Sequence, residues 1–356
     1  MNTIYLHPMV ASLFATLNTN VTTQSGSGAS LTAEMKTFYS NNLIDLAEPE
    51  LVHDQFGQKH PIPKNGGKTI EFRKYSSLPK ATTALTEGVT PNGQSLNVTT
   101  LTATVAQYGG YVTLSDVLLL TAIDNNLMQA SKLLASQAGR TLDTITREVL
   151  NGGTNVYYCA SGVTDKANLV GGSATASDNS TLTVDDIRRA VRKLKTMNTP
   201  KINGGYVAII HPDVAYDIMS DPEWQRPHEY VDTDNIYAGE IGRIAGCRFV
   251  ETTEAKVWKK AAKDKSSGTA VAGDGSTNGW DVYSTLVLGA DAYGVTEVSG
   301  GGLQMIIKQL GSAGTEDPLD QRATAGWKAI KVAERLVEEY MIRVMSVSSF
   351  NDASAN

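Results

Sequence analysis

The chain carries little charge. Lys and Arg number 31 and Asp and Glu 37, together 19% of 356 residues, and the formal net charge is -6. A general nucleic-acid binder shows a basic stripe, and none is implied here. The acidic balance does not exclude a container with an acidic lining, where repulsion keeps packed DNA from sticking. Cysteine is scarce: Cys159 and Cys247 are the 2 present. They make no C-x-x-C spacing and no disulfide framework, so synthesis in a reducing compartment is expected. No apolar run reaches the length of about 18 residues that a membrane helix needs. The opening MNTIYLHPMVASLFATL is apolar but has no basic n-region, so no signal peptide is expected.

Catalytic patterns are missing as well. His7, His53, His60, His211 and His228 are scattered, and none stands at metal-ligand spacing with another His or Cys. They are expected to be structural. Gly171-Gly172 and Gly300-Gly301-Gly302 are not nucleotide loops, because no G-x-G-x-x-G opens a helix and no G-K-[ST] occurs. Asp274–Gly279 faintly resembles a calcium loop but lacks the third oxygen ligand and the bidentate Glu. Glu48/Glu50, Glu338/Glu339 and Asp185/Asp186 are close carboxylate pairs whose members face different ways. No nucleophile, base and orienting group can be assembled. The sequence assigns no catalytic, cofactor-binding or metal residue, and it implies no cofactor.

What is abundant is Thr, Ser, Gly and Asn beside a hydrophobic content of 41%. That mixture supports a real core and favours strands and turns over a helical bundle. The length suits two compact domains or one elongated fold.

One stretch organises the chain. Asp124–Asn151 reads as a long amphipathic helix, with Leu127, Ala130, Leu134, Ala138, Leu142, Ile145 and Val149 on one face. Gln129, Lys132, Gln137, Arg140, Thr144 and Arg147 fall elsewhere. Asp124 is placed to cap its start and Gly152-Gly153 to end it in a left-handed C-cap. Such a helix is roughly 40 Å long and needs something laid along it.

Before it, residues 1–64 read as an arm, with a short helix over Leu31–Ala47. Residues 65–115 read as one long β-hairpin. Ile70 and Phe72 alternate with polar residues on the way out, and Leu101, Ala103 and Val105 on the return. With limbs of about 20 residues the ribbon would span about 65 Å. A two-stranded ribbon is barely stable alone in water, so it is expected to rest on a neighbouring copy. Arg73, Lys74, Leu78, Pro79, Thr86, Glu87, Pro91 and Asn92 are the expected contact residues.

After the long helix, Val184–Met197 reads as a second helix capped by Thr183. Its outer face carries Arg188, Arg189, Arg192, Lys193 and Lys195, a candidate contact for an anion or another subunit. A solvated or ion-pairing face fits the acidic whole better. Tyr206–Ile210 and Arg243–Glu251 read as strands, Pro212–Asp221 as a helix and Lys256–Gly279 as a surface insertion. Val282–Leu288, Ala292–Val298, Leu303–Leu310 and Gly326–Met345 carry further β character.

Several ordered blocks carry a resemblance: LVHDQFGQKHPIPKNGGKTIEFRKYSSLPKATTALTEGVTPNGQ (Leu51–Gln94), LTATVAQYGGYVTLSD (Leu101–Asp116) and AGRTLDTITREVLNGGTNV (Ala138–Val156). Tyr206–Trp224, Glu240–Val257 and Gly311–Ala329 add to it. Together they are similar to the major capsid proteins of tailed bacteriophages, podophage type, over most of the chain. The resemblance implies an α+β fold, the capsid fold shared by tailed phages and herpesviruses. Its parts would be an N-terminal arm (1–64), an extended loop (65–115), a peripheral domain with a spine helix (116–197), an axial domain (198–298) and a return to the peripheral domain (299–356). It implies a non-enzymatic shell subunit, made in the host cytoplasm and resident in the virion. The partners it implies are further copies in hexameric and pentameric capsomers, a portal at one vertex, scaffold or decoration proteins, and DNA held inside without sequence preference. No membrane is implied. A nanocompartment shell on the same fold is the alternative, and an α+β hydrolase a remoter one.

Overall fold

The computed structural model describes residues 19–20, 52–90, 92–121, 126–175, 178–228, 240–297, 301–312 and 317–352. In chain order the strands and helices begin with β1 (Thr19–Asn20), β2 (Gln58–Lys59), β3 (Thr69–Tyr75), β4 (Val98–Thr104) and β5 (Ala106–Ser115). Helices α1 (Asp116–Thr121) and α2 (Asn126–Asn151) follow, then β6 (Val156–Tyr158), β7 (Val170–Gly171) and α3 (Val184–Thr196). Next come β8 (Tyr206–Ile210), α4 (Pro212–Met219), α5 (Pro222–His228), β9 (Glu240–Ile244), β10 (Cys247–Glu251) and β11 (Val257–Asp264). The chain closes with β12 (Trp280–Leu288), β13 (Tyr293–Glu297), β14 (Gln304–Lys308), β15 (Arg322–Arg335) and β16 (Met341–Ser346).

The chain divides into two compact units. The first takes the described residues within Met1–Glu50, Gln107–Arg140 and Gly301–Ile330. Here β15 lies between β5 and β14, and β1 runs parallel to β5 with Thr19 opposite Thr113. Alternate β15 residues Ala323, Ala325, Trp327 and Ala329 are buried, and the Trp327 indole donates to Gln137 Oε1 at 3.0 Å. On α2, Leu127, Ala130, Leu134, Ala135 and Ala138 form the buried stripe. Leu134→Asp would put an unpaired carboxylate under that stripe, against a penalty of several kcal/mol. The expected outcome is insoluble or unfolded protein on expression; soluble, native-like monomer by circular dichroism would contradict it.

The second unit takes Leu51–Ala106, Thr141–Gly300 and Lys331–Asn356. Its main sheet runs β6-β16-β12-β8-β10-β9, with β11 on β12. Strand β8 is buried at all five positions, because a central strand covered on both faces reads as a continuous apolar run, Tyr-Val-Ala-Ile-Ile. On one face α3 and α4 contribute Ile187, Ala190, Val191, Leu194, Val214 and Ile218 to a core with Phe249 and Val287. Helix α3 begins with a capping box: the Thr183 side chain accepts from Asp186 N, and the Asp186 side chain accepts from Thr183 N. Thr183→Ala should cost about 1 kcal/mol, read as a lower urea midpoint at unchanged slope.

Several expectations change. The helix expected over Asp124–Asn151 is seen from Asn126, and the capping role of Asp124 lies outside the described residues. Most of the arm and its Leu31–Ala47 helix also lie outside them. Gly152 and Gly153 do end the helix, but not through left-handed backbone, since neither has a positive φ. They admit close neighbours instead: a Cβ on Gly152 would sit 2.6 Å from Arg335 Nη1, and one on Gly153 2.8 Å from Glu338 Oε1. Ile145 and Val149 are half-buried, whereas Asp143, Thr146, Arg147 and Leu150 are buried. Beyond Ala138 the inward face therefore turns polar, which an apolar count cannot register.

The hairpin is shorter than expected. Its paired limbs are β3 and β4, from Thr69 opposite Thr104 to Tyr75 opposite Val98. Seven residues per limb span about 23 Å. Strand β5 leaves this ribbon to join the first unit's sheet. Arg243–Glu251 is two antiparallel strands, with Ala245 (φ 52°) and Gly246 (φ 83°) as the turn. Pro212–Asp221 ends at Met219, and α5 restarts at Pro222. Within Lys256–Gly279, Val257–Asp264 is not a surface loop but a strand of the main sheet. A register shift at Lys260 (φ 49°) hides its alternation while Val257 and Ala262 stay buried.

Candidate functional site

Among the described residues, the ribbon β3–β4 is held at its root, whereas its connecting loop makes only local backbone bonds. At the root, Ile70 faces Ala103 and Phe72 faces Leu101, and these four are at least half-buried. The root is fixed to the second unit. Phe72 Cζ lies 3.4 Å from where a Gly294 Cβ would be, and the His60 ring meets Phe72 edge-on at 5.5 Å. Lys74 Nζ pairs with Glu339 Oε2 at 3.3 Å, and Arg73 Nε with Glu71 Oε1 at 3.0 Å.

Beyond Phe72 the ribbon bares its apolar groups. Tyr75 is 62% exposed, Leu85 76% and Leu96 67%, with Leu78, Val89 and Val98 also exposed. Leu78, Pro79, Thr86, Glu87 and Asn92 all lie on this open loop, and Pro91 lies outside the described residues. Residues 76–90 and 92–97 form no helix or strand, and their backbone bonds are local, such as Ser76 N to Asn97 O and Val89 N to Thr86 O. With Lys80 and Glu87 as its only charges, the polar tract 76–97 carries no net charge, and it exposes Leu78, Leu85, Val89 and Leu96. A surface of that kind fits protein, not a polyanion.

The second candidate, the outer face of α3, is largely engaged within the chain. Arg188 pairs with Glu223, Arg189 Nη2 with Asp185 Oδ2 at 2.8 Å, and Lys193 donates to Asn155 Oδ1. Arg192 and Lys195 are exposed on the same helix. Tyr157, next to that face, donates to Asp186 Oδ1 at 2.8 Å, and burial together with this bond pushes its hydroxyl up to about 12. Of the spine residues, Leu127, Leu134, Ala138 and Leu142 are buried.

Other motifs resolve into structure. Asp274 Oδ1 accepts from the backbone of Ser276, Thr277 and Asn278 at 2.8–2.9 Å, and those N–H groups hold its carboxyl down to about 2. The calcium-like spelling is an Asx turn. His211 caps α4 by accepting from Asp213 N, and burial lowers its pKa. Among the described residues no group of three or more His, Cys, Asp or Glu is arranged to hold a metal, and no helix is long and apolar enough to cross a membrane. Cys159 and Cys247 are buried, and burial pushes both thiols up.

Sequence reasoning missed a buried polar network beneath residues 52–60. His53 Nδ1 lies 2.6 Å from Asp143 Oδ2, and His53 N donates to Asp143 Oδ1 at 2.8 Å. Asp54 accepts from the Thr146 hydroxyl at 2.6 Å and from Lys331, whose ammonium also donates to Leu142 O at 3.0 Å. The Tyr293 hydroxyl donates to His53 O; burial, with Asp54 and Asp143 near, pushes it well above its usual range. Partners 90 to 277 positions apart leave no local signal.

The family described as phage capsid protein matches residues 121–309, more than half of the chain. The chain belongs to the phage capsid protein family. Solved capsids share its fold. The capsid of Ralstonia phage GP4 aligns over 95% of both chains at 14% identity and a TM-score of 0.59. The capsid asymmetric unit of cyanophage Pam1 covers 98% of this chain and 100% of its own, at 14% identity and a TM-score of 0.57. The capsid of cyanophage P-SCSP1u covers 83% and 87%, at 14% identity and a TM-score of 0.54. No curated protein matches the sequence. The expected α+β tailed-phage capsid fold is therefore present, and family membership gives this capsid protein a structural role in a shell.

Proposed function

We propose that this capsid protein is the major shell subunit and that its ribbon lies on the next copy. The carrying observation is the row of exposed apolar residues from Tyr75 to Val98 on a loop that, among the described residues, has no core beneath it. A single two-stranded ribbon is marginal by itself, and an exposed neutral apolar surface marks a protein partner. A second copy is always present in a shell. Repetition of one modest contact under closed symmetry then yields a stable particle.

In this reading residues 1–64 are the arm, 65–115 the extended loop and 116–197 with 299–356 the peripheral domain built on α2. Residues 198–298 are the axial domain, meeting its copies at the centres of hexameric and pentameric capsomers. The portal, a scaffold or decoration protein and the packaged double-stranded DNA are its further partners, and it performs no catalysis. Synthesis is in the host cytoplasm. Electron microscopy of purified protein should show closed shells of uniform diameter, and shells from infected cells should protect DNA from nuclease. Protein that stays monomeric at high concentration would overturn the proposal; shells protecting a protein cargo and no DNA would favour a nanocompartment.

A further inference from the structure

We propose that residues 52–60 act as a strap that couples the buried polar network on α2 to the root of the ribbon, so that network and ribbon loosen together. The strap has two sides. On its inner side His53 binds Asp143 and Asp54 binds Thr146 and Lys331, so α2 and β15 both hold it. Val52 and Phe56 add an apolar anchor in the cluster containing Leu150, Val207 and Ile209.

Along its length the strap lies flush on β13. Gln58 and Lys59 pair in parallel with Gly294 and Val295, and His60 N donates to Val295 O at 3.1 Å. Gly57 is required there: a Cβ would fall 2.6 Å from Tyr293 Cε2 and 3.0 Å from Val295 Cγ2. On the outer side the His60 ring meets Phe72, which itself rests over Gly294. The ribbon root therefore sits on the strap and on the strand to which the strap is paired.

Physical chemistry makes this a coupling and not mere proximity. A buried polar network is close to all-or-none, because removing one partner leaves the others desolvated and unpaired. Among the described residues, His53 Nε2 has no hydrogen-bond partner, so the ring is held through Nδ1. The ribbon, for its part, has little order of its own and takes its position from Phe72, His60 and the Lys74–Glu339 pair. The groups facing His53 and Asp54 are Asp143 and Thr146 from α2, Tyr293 from β13 and Lys331 from β15. The meaning of the coupling for assembly rests on the ribbon reading above; the test does not involve assembly.

The test is amide hydrogen exchange of the unassembled full chain, read by mass spectrometry, in Tyr293→Phe, Asp54→Asn and His60→Ala. Tyr293→Phe deletes one hydroxyl and keeps the ring, so it reports even if Asp54→Asn fails to fold. In Tyr293→Phe, exchange of residues 52–60 and of both ribbon strands should rise together by about tenfold, the scale of one lost hydrogen bond. Strands β8 and β12 should keep their protection. In His60→Ala the ribbon should speed up while residues 52–57 stay slow. A strap that opens in Tyr293→Phe with ribbon exchange unchanged, or a ribbon indifferent to His60→Ala, overturns the proposal.

Discussion

Deletion of Leu78–Ser95 leaves a folded monomer and abolishes particles. The deleted residues make no hydrogen bond or ion pair to the body of the protein among the described contacts, and their described side chains are exposed. Ser76, Ser77, Leu96 and Asn97 remain to join Tyr75 to Val98, which already face each other across the ribbon. Closing a shorter loop favours the folded state by about 1.5 kcal/mol. The melting temperature should therefore hold or rise slightly. Particle yield should fall to background by electron microscopy and gel filtration, because the apolar contact set of Leu78, Leu85 and Val89 is gone. Shells at normal yield would show that the loop is not an assembly element.

Lys331→Met is expected to be the most damaging single substitution in the second unit. Lys331 is 1% exposed, and its ammonium serves both Asp54 and Leu142 O. Met nearly conserves volume, so the loss is electrostatic: the Asp54 carboxylate loses its counterion in a mostly buried site. Breaking one member of such a pair costs about 3–5 kcal/mol. Neutralising both partners is much milder, so Lys331→Met with Asp54→Asn should recover more than half of the loss, because the amide oxygen introduced there can still accept from Thr146. Urea unfolding of the single and double variants measures this directly. A single variant within about 1 kcal/mol of the parent, the scale of a surface pair, would mean that the ion pair is solvated.

The ribbon is encoded by neighbouring residues, whereas the polar network around Lys331 joins residues far apart in sequence. The ribbon was legible because alternation at Ile70, Phe72, Leu101 and Ala103 is local and a polar tract separates the limbs. Its length was overstated because β5 continues the same alternation in a different sheet. The spine was legible as far as Ala138, where burial follows apolar spacing. From Leu142 onward the buried positions include Asp143, Thr146 and Arg147, and their partners His53, Asp54 and Glu254 are remote in sequence. Arg147, only 2% exposed, looked like a solvent residue because a guanidinium is buried only where acceptors such as Glu254 O await it. Strand β11 was missed for another reason. A register shift breaks the alternation of Trp-Lys-Lys-Ala-Ala-Lys, so a strand reads as low complexity.

In the proposed assembly the loop is open in the free protein and covered by a sister copy in the shell. Site-specific labelling tests this most directly. In Leu85→Cys, the new thiol is the sole accessible one, since Cys159 and Cys247 are buried with their thiols pushed up. A maleimide should modify it at once in unassembled protein and at least about tenfold more slowly in assembled particles, as expected for a group in an interface core. Equal labelling rates in the two states would contradict the account.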